Sequence, residues 1–247
     1  MTNQQSEISN QQSIKAAIRQ RVWQRLAEER LAAFPLPIRG RIPNFKGARA
    51  AAARLAELPE FQQARAVKVN PDAPQQPVRQ LVLEHGKLLL MPTPRLRAGF
   101  LLLDPDRLPP RVARRASTIA GAFELARHIG LDELPRIDCI VVGTVAVTAY
   151  GGRLGKGEGY AELEYATLRQ LGRITPDVPV ATTVHDVQVV DDVPIEPFDV
   201  PVDIIVTPTR VIRTGSKLAK PQGIIWELLD PRRLEEMPIL KQLRNEG

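Results

Sequence analysis

The run Gly151-Gly152-Arg153-Leu154-Gly155-Lys156-Gly157-Glu158-Gly159-Tyr160 holds five of the chain's 16 glycines within nine residues. Glycine lets main-chain N–H groups approach an anion in conformations that other residues avoid. Arg153 and Lys156, inside the run, add charge-assisted hydrogen bonds. A helix predicted from about Tyr160 to Leu171 follows, and a helix N-terminus attracts negative charge. Together these features describe a phosphate or nucleotide cradle. The rival reading is a surface turn, which has no use for two cations. The spacing matches neither a Walker loop nor a Rossmann fingerprint: no Ser or Thr follows Lys156, and the glycines run G-x-G-x-G.

Carboxylates lie downstream. Glu162 falls in the first turn of the predicted helix, where it complements the helix dipole or holds magnesium beside bound phosphates. Asp199 and Asp203 stand four apart around Pro201, before or within a predicted strand. Each of these acids, taken singly, also suits an ordinary turn or strand edge. Lys15 and Arg19 are four apart, bordering the apolar stripe Ile14, Ile18, Val22 and Leu26. From that border a cation can reach a ligand across the seam; in isolation the pair reads as a solvated basic edge.

The elements that must position these groups alternate. Residues 1–12 have no apolar period and read as a frayed tail, followed by one domain over 13–247. A first helix is predicted from Ser13 to Ala33 and a second from Lys46 to Leu58. Ala66–Val69 reads as a strand, Pro77–His85 as a helix, Leu88–Met91 as a buried strand. Phe100–Leu103 is a short apolar piece in a proline-rich loop, and Ala116–Ile129 is predicted helical. Ile137–Val142, Val145–Tyr150, Val180–Val184, Gln188–Val190 and Val202–Val206 are further strands. Met237, Leu240 and Leu243 suggest a C-terminal amphipathic helix. Alternating strands and helices imply an α/β fold with a mostly parallel sheet.

Composition narrows the classes. With 247 residues, 43% hydrophobic and 25% charged, the chain is neither disordered nor fibrous. One cysteine, Cys139, excludes an internal disulfide and a cysteine-based zinc site. No apolar run reaches the ~18 residues of a membrane helix, and the polar N-terminus lacks a signal peptide's core. The expectation is a cytoplasmic protein with no membrane partner. A net charge of +6 favours anionic partners such as nucleotides, polycarboxylates or nucleic acid. The clusters Arg111-Arg114-Arg115 and Arg210-Arg213-Lys217-Lys220 keep a non-catalytic nucleotide- or RNA-binding protein as the alternative. Only 4% of residues are aromatic, which leaves few stacking platforms for single strands.

The glycine run and Val193-Pro194-Ile195-Glu196-Pro197-Phe198-Asp199-Val200-Pro201-Val202-Asp203-Ile204-Ile205-Val206-Thr207 resemble 5-formyltetrahydrofolate cyclo-ligases (methenyltetrahydrofolate synthetases). The resemblance spans roughly Ser13 to Ile212. It is nearest the divergent branch of methenyltetrahydrofolate synthetase domain-containing proteins, on Arg41-Ile42-Pro43-Asn44-Phe45-Lys46-Gly47, Val67-Lys68-Val69-Asn70-Pro71-Asp72 and Met91-Pro92-Thr93-Pro94-Arg95-Leu96.

This resemblance implies a three-layer α/β/α fold like ribose-phosphate isomerases and CoA transferases, with an N-terminal helical extension. It implies ATP and Mg2+, with the formyl oxygen of 5-formyltetrahydrofolate attacking the γ-phosphate before 5,10-methenyltetrahydrofolate closes. By the same resemblance, Lys15, Arg19 and the loop residues Gly152, Arg153, Leu154, Gly155, Lys156, Gly157, Glu158, Gly159 and Tyr160 would bind the nucleotide. Arg153, Lys156 and Tyr160 would carry the catalytic contacts, and Glu162 and Asp203 would stand near the metal. The family's folate-gripping glutamate has only Asp72 as a counterpart. Tyr160-Ala161-Glu162-Leu163 replaces the family's two tyrosines, aspartate and arginine, so the folate end departs more than the phosphate end.

Overall fold

Runs of three to five residues, mostly apolar or β-branched, build the central sheet. The strands are β1 (Ala66–Val69), β2 (Leu88–Pro92), β3 (Phe100–Leu103), β4 (Arg127–Ile129), β5 (Cys139–Val142), β6 (Ala146–Thr148), β7 (Arg153–Leu154), β8 (Val180–Thr183), β9 (Val189–Val190), β10 (Ile204–Val206) and β11 (Val211–Arg213). The helices are α1 (Asn3–Glu28), α2 (Ala48–Ala56), α3 (Pro59–Gln62), α4 (Gln76–Glu84), α5 (Ala113–Ala116), α6 (Ile119–Leu125), α7 (Tyr160–Gln170), α8 (Pro231–Glu236) and α9 (Pro238–Asn245). This computed structural model describes residues 3–245, and the side chains of residues 10–244.

Eight strands run in the order β11-β10-β8-β5-β1-β2-β3-β4. The five from β10 to β2 are parallel, and β11, β3 and β4 are antiparallel at the two edges. The inner strands β1, β5 and β8 are buried at every residue, as a sheet covered on both faces requires. Val67, Val69, Leu89, Met91, Cys139 and Val141 face one core, shared with α2 and α4. Leu90, Ile140, Val142, Val180 and Ile205 face the other, shared with α7 and α9. The result is the expected three-layer α/β/α arrangement.

A third core docks the N-terminal helix. Ile18, Val22 and Leu26 of α1 pack with Phe45, Val145, Ala146 and Leu154, against the small sheet β7-β6-β9. The predicted stripe is shorter than its period, because Ile14 is 43% exposed. The expected tail is corrected: α1 begins at Asn3, so residues 3–12 are helical, and Met1 and Thr2 lie outside the described residues. The predicted helix Ala116–Ile129 is also corrected. Its last residues form β4, because Ile129 pairs with Phe100 and closes the sheet edge.

Candidate functional site

Connections leave β1 toward β2 on one side, while β5 returns on the other side of β1. That switch point opens a crevice beyond the carboxyl ends of the parallel strands, where α/β sheets bind ligands. A cavity of about 570 Å³ lies there, lined by Asn70 and Asp72 after β1, Thr93 after β2 and Gly143 after β5. Gly143 permits the close approach: a Cβ there would meet the Asp72 carboxylate at 2.6 Å. Arg79, fully buried, donates to the Asn70 carbonyl at 2.5 Å, the Asp72 carbonyl at 3.0 Å and the Ser117 carbonyl at 2.8 Å. Burial lowers its guanidinium to about 10, with Asp72 opposing the shift. Burial also raises the carboxyl of Asp72, against the pull of Lys156 and Arg79.

Under this floor Lys68 pairs with Glu164 of α7, both almost wholly buried. The Asn70 amide donates to Glu164 at 2.7 Å and its oxygen accepts from the Gly143 N–H at 3.2 Å. Burial raises the Glu164 carboxyl, and Lys68 opposes it. This network ties the helix that follows the glycine loop to the ends of β1 and β5.

The glycine run divides in two. Gly151 and Gly152 close the turn between β6 and β7, where Gly152 N–H donates to Thr148 Oγ1 at 2.9 Å. A Cβ on Gly152 would strike Val193, Thr148 and Ile195. Gly152 is therefore a packing residue outside the cleft, which corrects its expected nucleotide contact. Gly155, Lys156, Gly157, Glu158 and Gly159 line the cleft, with Leu154 beside them. Gly157 (φ 102°) and Gly159 (φ 70°) adopt left-handed backbone. Gly159 is the N-cap of α7 and brings no side-chain cap, so no side-chain oxygen of that residue accepts from the first-turn N–H groups.

Cations surround the loop. Arg19 Nε donates to the Gly155 carbonyl at 2.8 Å, and its guanidinium carbon lies 3.3 Å from where a Gly157 Cβ would sit. Burial lowers the Arg19 pKa, opposed by Asp199 and Glu162. Arg153, 2% exposed, donates to the Gly143 carbonyl at 2.7 Å and pairs with Glu162. Lys156 pairs with Glu158 at 2.7 Å. Lys15 is buried, not solvated: its ammonium meets Glu196 at 2.5 Å and Asp199 at 2.8 Å. Two of its N–H groups are thus engaged by protein, which leaves one for the phosphate expected there. Cationic and acidic side chains line the cleft in equal numbers.

Asp203 stands apart from this constellation. It accepts from the Val180 N–H at 2.8 Å and the Lys220 ammonium at 2.6 Å, beside the start of β8, at the end of the sheet away from the cleft. Its expected place near a metal is corrected, because Pro201 and the strand entry turn it away from Asp199. Among the described residues no group of three or more His, Cys, Asp or Glu is arranged to hold a metal. Sequence reasoning missed the third wall. Pro221, Ile224, Ile225, Leu228, Leu229 and Arg233 line the cleft, and Arg233 covers the Tyr160 ring at 4.6 Å. The tail's apolar spacing foretold its helix but not its neighbour.

A family model described as the 5-formyltetrahydrofolate cyclo-ligase family matches residues 10–208. The chain is 46% identical over 236 residues to a Bos taurus methenyltetrahydrofolate synthase domain-containing protein, covering 94% of this chain and 62% of that protein. It is 36% identical over 78 residues to the Escherichia coli 5-formyltetrahydrofolate cyclo-ligase, 32% of this chain and 40% of that one. The solved structure of Aquifex aeolicus 5,10-methenyltetrahydrofolate synthetase shares the fold, with a TM-score of 0.52 and 22% identity over 83% of this chain and 95% of that one. No helix among the described residues is long and apolar enough to cross a membrane. With the glycine loop set over a switch-point cleft and most of its length matched, the chain belongs to the 5-formyltetrahydrofolate cyclo-ligase family.

Proposed function

We propose that the protein is an ATP- and Mg2+-dependent cyclo-ligase that converts 5-formyltetrahydrofolate to 5,10-methenyltetrahydrofolate, or closes a closely related N-formyl substrate. One observation carries the reading: a glycine loop with an uncapped helix start and the cations Arg19 and Lys156 lines a cleft at the switch point. That cleft suits a triphosphate whose charge is partly neutralised by a metal, because its own cations are matched by acids. Magnesium fits as an ion carried mainly by phosphates, with Glu162 as the protein carboxylate beside the loop. Bound there, the nucleotide supplies the phosphoryl group that makes the formyl oxygen a leaving group.

The protein's own residues position and neutralise. Arg19 and Lys156 face the phosphates. Arg153 acts through Glu162 and Gly143, fixing the loop's base. Lys15 holds Glu196 and Asp199 in place and offers its remaining N–H. Asp72, enclosed at the end of β1, accepts from N–H donors of the substrate ring. Tyr160 forms part of the wall beside the loop. The RNA-binding alternative is weakened by pairing on the surface: Arg115 faces Glu124, Arg210 faces Asp186, Arg213 faces Glu60 and Lys220 faces Asp203.

The test is purified protein with MgATP and 5-formyltetrahydrofolate. Growth of the methenyl chromophore with matching phosphate release is the expected result. Tight MgATP binding with neither signal would redirect the proposal to another formyl or carboxylate acceptor. Absence of MgATP binding would end it.

A further inference from the structure

We infer that Arg233 is a positioning residue for the glycine loop, and that residues 221–233 form a working wall of the nucleotide end of the cleft. This rests on the nucleotide reading above. Arg233 lies outside residues 10–208, the part matched by the family model. One arm of its guanidinium donates to the Glu158 carbonyl. Its carbon sits 4.6 Å from the Tyr160 ring centroid, and its other arm reaches Glu236 at 3.2 Å. Glu236 also accepts from the Tyr160 hydroxyl at 3.5 Å. One side chain therefore grips both the loop and the first residue of the helix that follows it.

The grip is anchored at both ends. Arg169 donates to Gln222 at 2.7 Å and Ile224 N–H donates to Gln170 at 3.3 Å, fixing residues 222–224 at the far end of α7. Asp230 caps α8 through the Arg232 N–H at 2.9 Å. Met237, Leu240 and Leu243 are buried in the main core. The segment thus runs the length of α7 and delivers Arg233 at its N-terminus.

The loop needs such a hold. Gly157 and Gly159 carry little intrinsic conformational preference, and left-handed φ at both is costly to keep without outside contacts. Arg19 holds the Gly155 carbonyl and Arg233 holds the Glu158 carbonyl. In a trans peptide the next N–H points opposite to the carbonyl, so fixing the Glu158 carbonyl fixes the direction of the Gly159 N–H. That N–H belongs to the cap of α7, where an anion is received.

The experiment compares the native protein with Arg233→Met, Arg233→Lys and the exposed neighbour Arg232→Met, each first checked for a cooperative thermal transition. Two quantities are read: MgATP affinity by calorimetry, and hydrogen exchange of the 156–160 amides without ligand. Arg233→Met should weaken MgATP binding and speed loop exchange, each by about tenfold. Arg233→Lys should recover part of both, since an ammonium still reaches the carbonyl but cannot also stack and pair. Arg232→Met should match the native protein. Affinity and exchange for both Arg233 variants within about twofold of native overturn the inference while leaving the nucleotide reading intact. Faster loop exchange in a protein that does not bind MgATP removes the nucleotide reading and keeps the positioning role. If Arg233→Met does not fold, Arg233→Lys decides alone by the same two readings.

Discussion

Lys15 and Arg153 show why a charge in a sequence is not yet a ligand contact. Both are almost fully buried, and a buried cation demands partners. Lys15 finds Glu196 and Asp199, and Arg153 finds Glu162 and the Gly143 carbonyl. Arg19 and Lys156 are left as the cations proposed to face the phosphates. Gly157 is the sharpest single test of the cradle. Its φ of 102° strains any side chain, and an added Cβ would press on Arg19 at 3.3 Å. Gly157→Ala should cost the loop's bound conformation about 1–3 kcal/mol, read as a loss of about 5- to 150-fold in MgATP affinity by titration. Asp72 gives a pH test. Burial raises its carboxyl in the folded state, so its contribution is most favourable below the usual aspartate range and is lost as pH rises through the folded pKa. Asp72→Asn should melt higher than the native protein at about pH 7, and the two melting temperatures should converge below about pH 4. The same variant should raise the KM for the formyl substrate.

Elements decide which of two similar carboxylates meets the cleft. Asp199 precedes Pro201 and reaches Lys15, whereas Asp203 sits at the entry to β10 and caps the Val180 N–H. Four residues of spacing place two side chains on one face only within a continuous helix or strand, and neither covers 199–203. Asp203→Ala should therefore leave MgATP affinity unchanged. It should lower stability by about 1–3 kcal/mol, because the Val180 N–H and the Lys220 ammonium lose their acceptor; chemical denaturation measures this. The same lesson holds for Gly151 and Gly152. Their place in a β6–β7 turn depends on Arg153 and Leu154 forming a two-residue strand, a signal too short for periodicity. The helix predicted over Ala116–Ile129 fails for a related reason: its end is claimed by pairing with β3, a contact made across the sheet.

The molecule as a whole places its binding groups at one end of the sheet and its most inert groups within it. Cys139, on β5 in the middle of the eight strands, is fully buried, and burial pushes its thiol up to about 12. A thiolate is the reactive form, so alkylating reagents at about pH 8 should leave the native protein unmodified. Labelling should appear only in denaturant, or at the rate of global opening; mass spectrometry after timed exposure checks this.

Much of this protein was legible from residue order. The short runs rich in valine, isoleucine and threonine at Ala66–Val69, Cys139–Val142 and Val180–Thr183 announce strands. The glycine density beside Lys156 announces the loop that lines the cleft. Both are local properties, carried by backbone freedom and side-chain polarity. What emerged only on folding is partnership. Arg233 meets Tyr160, Lys68 meets Glu164 and Lys15 meets Glu196 across 73, 96 and 181 residues. No local pattern encodes such meetings, because they follow from how the layers stack and from the need of each buried charge for a counter-charge.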